Sequence, residues 1–126
     1  MSKVKFEKEY VLRSSPNVLY NKISTAAGLS EWFADNVAVN DNVFTFEWDG
    51  AEERAKLLKR KKGDYVRFQW EDDEGEDYYF EMRINIDELT KDVALIVTDF
   101  AEEDELEEAQ MLWDKQIDSL ILLLGA

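Results

Sequence analysis

The sequence predicts an α+β fold in which an antiparallel sheet of about seven strands wraps one long C-terminal helix, with two short helices between the first and second strands. Three observations lead there. Apolar residues alternate with polar ones, with turn formers at intervals, from Asn36 to Phe100. Over Glu102 to Leu124 the apolar residues recur instead at three- and four-residue spacing. Helix-start signals follow directly on the first alternating run.

Val4, Phe6, Tyr10 and Leu12 share one parity, and Lys5, Glu7 and Glu9 occupy the other. That is the period-two pattern of a half-buried strand, predicted over Lys3 to Arg13, with Lys8 as an exception on the apolar parity. Ser14-Ser15-Pro16 offers a hydroxyl cap and then a proline whose missing N–H costs nothing at a first helical position. A short helix over Pro16 to Ile23 follows. Ser24-Thr25 is a second cap, opening a helix from Ala26 to Phe33 that carries Leu29, Trp32 and Phe33. Strands are then predicted over Asn36–Val39, Val43–Trp48, Glu52–Lys61, Tyr65–Glu71, Asp77–Ile86 and Val93–Phe100. The turn-forming stretches between them are too short for parallel crossovers, so the strands form an antiparallel meander. In the last element Leu106, Ala109, Trp113, Ile117, Leu120 and Leu124 line one helical face. Acidic residues from Glu102 to Glu108 complement the positive end of its dipole, and Gly125 is its stop.

The 126-residue chain suffices for one core, read as a single domain over 1–126. Its 29 acidic against 15 basic residues give a net charge of −14, which would repel nucleic acid and anionic membrane surfaces. No apolar run approaches the ~20 residues of a membrane span. Met1 to Tyr10 lacks the apolar region of a secretory signal, so a cytoplasmic location is the expectation. There is no cysteine and no histidine, which removes thiolate and Ser–His nucleophiles, disulfides and Cys/His metal sites. No cofactor, metal site or catalytic residue is expected. No carboxylate pair is singled out by an apolar setting, and an enzyme of this fold would need an ionisable group inside an apolar pocket.

The order of elements resembles the helix-grip fold of the START-like and birch-pollen-allergen-like superfamily, and within it the branch similar to the C-terminal domain of activators of the heat-shock-protein-90 ATPase. The resemblance is carried by Val11-Leu12-Arg13-Ser14-Ser15-Pro16 with Val18-Leu19-Tyr20, by Thr25-Ala26-Ala27-Gly28-Leu29-Ser30-Glu31-Trp32-Phe33-Ala34-Asp35, and by the terminal helix with Trp113 and Leu120. It covers essentially the whole chain. It implies a cavity or groove between the concave sheet and the long helix, used by relatives for apolar small molecules or for protein partners. The tight turns of this chain argue against a roomy lipid tunnel.

Phe44, Phe46 and Trp48 share one strand face, Val66, Phe68 and Trp70 a second, and Phe80, Met82, Ile84 and Ile86 a third, all converging on Trp113 and Ile117. This set is either an aromatic-lined pocket or a filled core. The ligand-lining candidates are Trp32, Phe33, Phe46, Trp48, Phe68, Trp70, Met82, Trp113 and Ile117, with Trp32 and Phe33 at the mouth or as a hydrophobic plug. Exposure of either would favour a partner interface or a homodimer over a monomer. Glu47, Arg67, Gln69, Glu81 and Arg83 fall on the opposite parity and are expected on a solvated outer face. Arg54 and Lys56 either point inward toward an anionic head group or are exposed edge charges. Asp72-Asp73-Glu74-Gly75-Glu76-Asp77 lacks the ligand spacing and flanking helices of an EF-hand and is expected as a solvent-exposed hairpin turn. Two functions follow: binding of a small apolar ligand between sheet and helix, or a co-chaperone-like interaction module whose acidic surface steers a basic partner.

Overall fold

The computed structural model describes residues 2–125, so Met1 and Ala126, at the ends of the domain expected over 1–126, lie outside the described residues. Seven strands run β1 (Lys3–Leu12), β2 (Asn36–Asn40), β3 (Val43–Trp48), β4 (Ala51–Lys61), β5 (Tyr65–Trp70), β6 (Phe80–Ile86) and β7 (Val93–Glu102). They form one antiparallel sheet in the order β1-β7-β6-β5-β4-β3-β2. The meander from β2 to β7 ends beside β1, which pairs with β7 along its whole length from Lys3 opposite Glu102 to Leu12 opposite Val93.

Helix α1 (Pro16–Ser24) begins where the Ser15 hydroxyl accepts from the Val18 N–H, and helix α2 (Ala26–Leu29) where the Thr25 hydroxyl accepts from the Gly28 N–H. The second helix is half the predicted length. The N–H groups of Trp32, Phe33 and Ala34 all converge on the Leu29 carbonyl, which ends the helical ladder in one wide turn. The Trp32 indole donates to the Lys22 carbonyl at 2.8 Å, and the Phe33 ring enters the core, so tertiary contacts outweigh the helical propensity of this stretch.

The long helix α3 (Leu106–Leu124) is preceded by a 3₁₀ turn at Glu103–Glu105, so it starts later than its acidic leader suggested. Gly125, with φ of 68°, terminates it by donating its N–H to carbonyls of the last turn, a left-handed conformation that favours glycine. Trp113, Ile117 and Leu120 are its buried face. The predicted exception on β1 has a partner on this helix: Lys8 Nζ and the Tyr10 hydroxyl both donate to Asp114 Oδ1 at 2.7 Å, fastening strand to helix.

Other boundaries shift for local reasons. Asp49 and Gly50 both adopt positive φ, forming a two-residue hairpin turn that lets β4 resume at Ala51. β5 stops at Trp70 because Glu71–Asp73 forms a 3₁₀ turn, and β6 begins only at Phe80. Ile86, expected on the inner face, is exposed at the end of β6. Glu81, expected on a solvated outer face, is 6% exposed. Arg67 grips its Oε1 with two nitrogens at 3.0 and 2.8 Å, and Arg83 reaches its Oε2 at 3.3 Å. The same guanidinium groups lie over the rings of Tyr79 and Tyr65, so aromatic bodies and ion pairs together cover the carboxylate. Arg54 and Lys56 are exposed while Ala55 between them is fully buried, which resolves their orientation as outward. Among the described residues no helix is long and apolar enough to cross a membrane.

Candidate functional site

The inner face of the sheet meets α3 through a close-packed aromatic core. Phe46, Phe68, Met82 and Ile117 are fully buried there and fill the space beneath the helix. Phe44, Phe46 and Phe68 contact one another edge-on or stacked, and Phe80 stacks on Phe68 at 5.1 Å. Of the predicted ligand-lining residues, Phe46, Phe68, Met82 and Ile117 therefore belong to this filled core and do not line the opening described next.

Toward one end of the sheet the filling stops. An open cleft of about 450 Å³ lies there, lined by Phe33, Trp48, Trp70 and Trp113 together with Leu112 and Gln116 of α3. Four of the predicted aromatics thus meet around one space, contributed by the α2–β2 turn, β3, β5 and α3. Phe33 is the hub: its ring lies 5.7 Å from Trp48 and 5.8 Å from Trp113. Its carbonyl accepts from Trp48 Nε1 at 2.8 Å and from Gln116 Nε2 at 3.2 Å, so turn, sheet and helix are tied at a single oxygen. Trp32 lies to one side, buried, and borders a second, more open groove that shares Phe33, Trp48, Leu112 and Gln116. With Trp32 and Phe33 both turned inward, they form no exposed aromatic patch of the kind that would favour a dimer or partner interface.

The polar wall consists of acids. Glu53 of β4, Asp72 and Asp73 of the 3₁₀ turn, and Asp99 of β7 face the cleft, with Lys3 as the one cation lining it among the described residues. The stretch beginning at Asp72 is therefore not simply a solvent-exposed hairpin turn: Asp73 is largely covered and holds Lys3 Nζ at 3.0 Å. Asp99 lies opposite Phe6 in the β1–β7 pair. Its Oδ2 accepts from Trp113 Nε1 at 2.8 Å and its Oδ1 from the Phe100 N–H at 2.7 Å. Burial pushes its carboxyl up to about 6, against the opposing pull of those two hydrogen bonds and of Lys3, while Asp73 adds to the rise. Sequence reasoning passed over this residue, although a signal existed. Val93, Leu95 and Val97 alternate on the buried parity of β7, and Asp99 is the next position on it.

Asp99 supplies the ionisable group in an apolar setting that acid–base chemistry would need, but among the described residues no hydroxyl side chain lines the cleft beside it as a nucleophile. For metals, Glu102, Asp104 and Glu105 bring carboxylate oxygens within 4.8 Å of one another just before α3. All three come from one short stretch with two of them exposed, where water competes for any ion.

An antiparallel sheet gripping a C-terminal helix, with a side cleft where they part, defines a helix-grip protein. The chain belongs to the START-like superfamily, whose domain model matches residues 1–126. Among solved structures it is similar to a Bacteroides fragilis protein determined by NMR, with 41% identity, a TM-score of 0.70, and 95% of this chain and 90% of that one covered. The Aha1 dimer from Colwellia psychrerythraea shares the fold at 17% identity and a TM-score of 0.81, covering 96% of each chain. A Cytophaga hutchinsonii protein does so at 14% identity and a TM-score of 0.74, covering 99% of this chain and 97% of that one. A comparison with curated proteins gave no match.

Proposed function

We propose that this START-like domain binds a small molecule with an apolar body in the cleft between the sheet end and α3. The observation that carries this reading is a space of about 450 Å³ walled by four aromatic rings from four separate elements, two of them pinned by hydrogen bonds of their indole N–H groups. Sites for small molecules have this size and this mixture of apolar wall and few oriented polar groups. The filled core restricts the ligand to the cleft, which argues for a compact molecule and against a long acyl chain.

The alternative of a co-chaperone-like interaction module draws on the likeness to the Aha1 dimer and on the acidic surface. Its sequence argument rested on the Trp32 segment and the acidic surface, and Trp32 and Phe33 of that segment are folded inward. Asp99 gives an enzymatic reading one group to build on, as a general base near neutral pH, yet a buried carboxylate also serves simply to orient a bound ligand.

The test is native mass spectrometry of freshly purified protein beside a denatured sample, followed by a fragment screen read on the indole N–H resonances. A released small mass, or fragments that shift Trp70 and Trp113 together, supports the reading. Absence of an adduct combined with no fragment perturbing those indoles overturns it.

A further inference from the structure

Resting on the reading that the cleft binds a ligand, we infer that its ligand carries an organic cation, a quaternary ammonium or protonated amine head group. Aromatic rings and carboxylates line the same space. Trp48 and Trp70 lie 6.2 Å apart at a tilt of 58°, and Phe33 and Trp113 complete the wall. An ammonium group is attracted to the faces of such rings, most strongly to tryptophan and most of all where water is excluded.

The charge around the rings has the matching sign. Among the described residues Glu53, Asp72, Asp73 and Asp99 face the cleft against Lys3 alone, and that lysine is held by Asp73. An anionic ligand would meet these carboxylates with little to answer it. Most of the hydrogen-bond donors are already engaged: Trp113 Nε1 by Asp99, and both Trp48 Nε1 and Gln116 Nε2 by the Phe33 carbonyl. A ligand that needs donors would therefore find few, while one that brings positive charge finds acceptors with lone pairs to spare. The net charge of −14 adds long-range attraction for the same class of molecule.

Three probes of nearly the same shape separate charge from fit: choline, its neutral isostere 3,3-dimethylbutan-1-ol, and the anion 3,3-dimethylbutanoate. Each is titrated at pH 7.5 while the indole N–H resonances are followed by NMR. Choline is expected to bind about tenfold or more tighter than the alcohol, a preference of the size that desolvated cation–π contact gives, and the anion most weakly. The preference should shrink severalfold as pH falls below 6 and Asp99 takes up a proton, with Lys3, Glu53, Asp72 and Asp73 the other ionisable groups facing the site. Asp99→Asn should lower choline affinity several-fold and the affinity of the alcohol by less. Glu53→Gln, at an exposed position, gives the same charge change at lower risk to folding and should show a smaller loss in the same direction. Equal or tighter binding of the alcohol overturns the cation inference and leaves the ligand-binding reading standing. If none of the three shifts the indoles, the cation inference also falls, and the ligand-binding reading is then decided by the native mass and the fragment screen.

Discussion

Asp99 makes one part of the pH dependence of stability run opposite to the usual direction for a carboxylate. Its folded-state value is lifted from the ordinary 3.8 to about 6, chiefly by burial. Between those values the folded protein holds a proton that the unfolded chain has released. The contribution of Asp99 is therefore fully present below the unfolded value and is lost as pH rises through about 6. At ~1.4 kcal/mol per pH unit the gap amounts to at most about 3 kcal/mol, of which about 2 kcal/mol falls between pH 4.5 and 7.5. Urea unfolding of the wild type and of Asp99→Asn, followed by tryptophan fluorescence at several pH values across that range, measures it. Asp87 is held below the usual range by the Thr90 and Leu89 N–H groups, and Asp114 by Lys8 and Tyr10. Both titrate in the usual sense and are common to the two proteins, so the difference between them isolates Asp99. The stability of the wild type relative to the variant should fall by about 2 kcal/mol from pH 4.5 to 7.5. Two curves that stay parallel to within about 0.5 kcal/mol would refute the desolvation of this carboxylate.

Two further outcomes concern the frame around the cleft. A Cβ at Gly28 would collide with the Asn21 carbonyl oxygen and stand 2.7 Å from the Lys22 Cα, both backbone atoms. Gly28→Ala should therefore cost about 1–3 kcal/mol in urea unfolding despite the gain in helix propensity, and a stabilised variant would show that the α1–α2 corner relaxes freely. Glu81→Ala leaves Arg67 and Arg83 without their shared carboxylate. Because both guanidinium groups are partly exposed and rest on tyrosine rings, the expected loss is about 1–2 kcal/mol and not the larger value of a fully buried pair, and a change below about 0.5 kcal/mol in chemical unfolding would count against the network.

The periodicities by themselves determined the number and order of the strands, the antiparallel meander and the buried stripe Trp113–Ile117–Leu120, because alternation and helical spacing are local records of which side of an element faces the core. Capping chemistry likewise set the starts of α1 and α2. The converging aromatics were legible as a set, but not their division into floor and wall. Phe46 and Trp48 share a strand face, yet one is fully buried and the other borders the opening, and only the position of α3 and of the Phe33 turn over the sheet separates them. The shortened α2 has the same origin: Trp32 and Phe33 take contacts with Lys22, Trp48 and Trp113 that a continued helix could not reach. Asp99 could be placed on the inward parity of β7 from the sequence. Its shifted carboxyl and its partnership with Trp113 depend on groups distant along the chain, and so on the tertiary structure that desolvates them together.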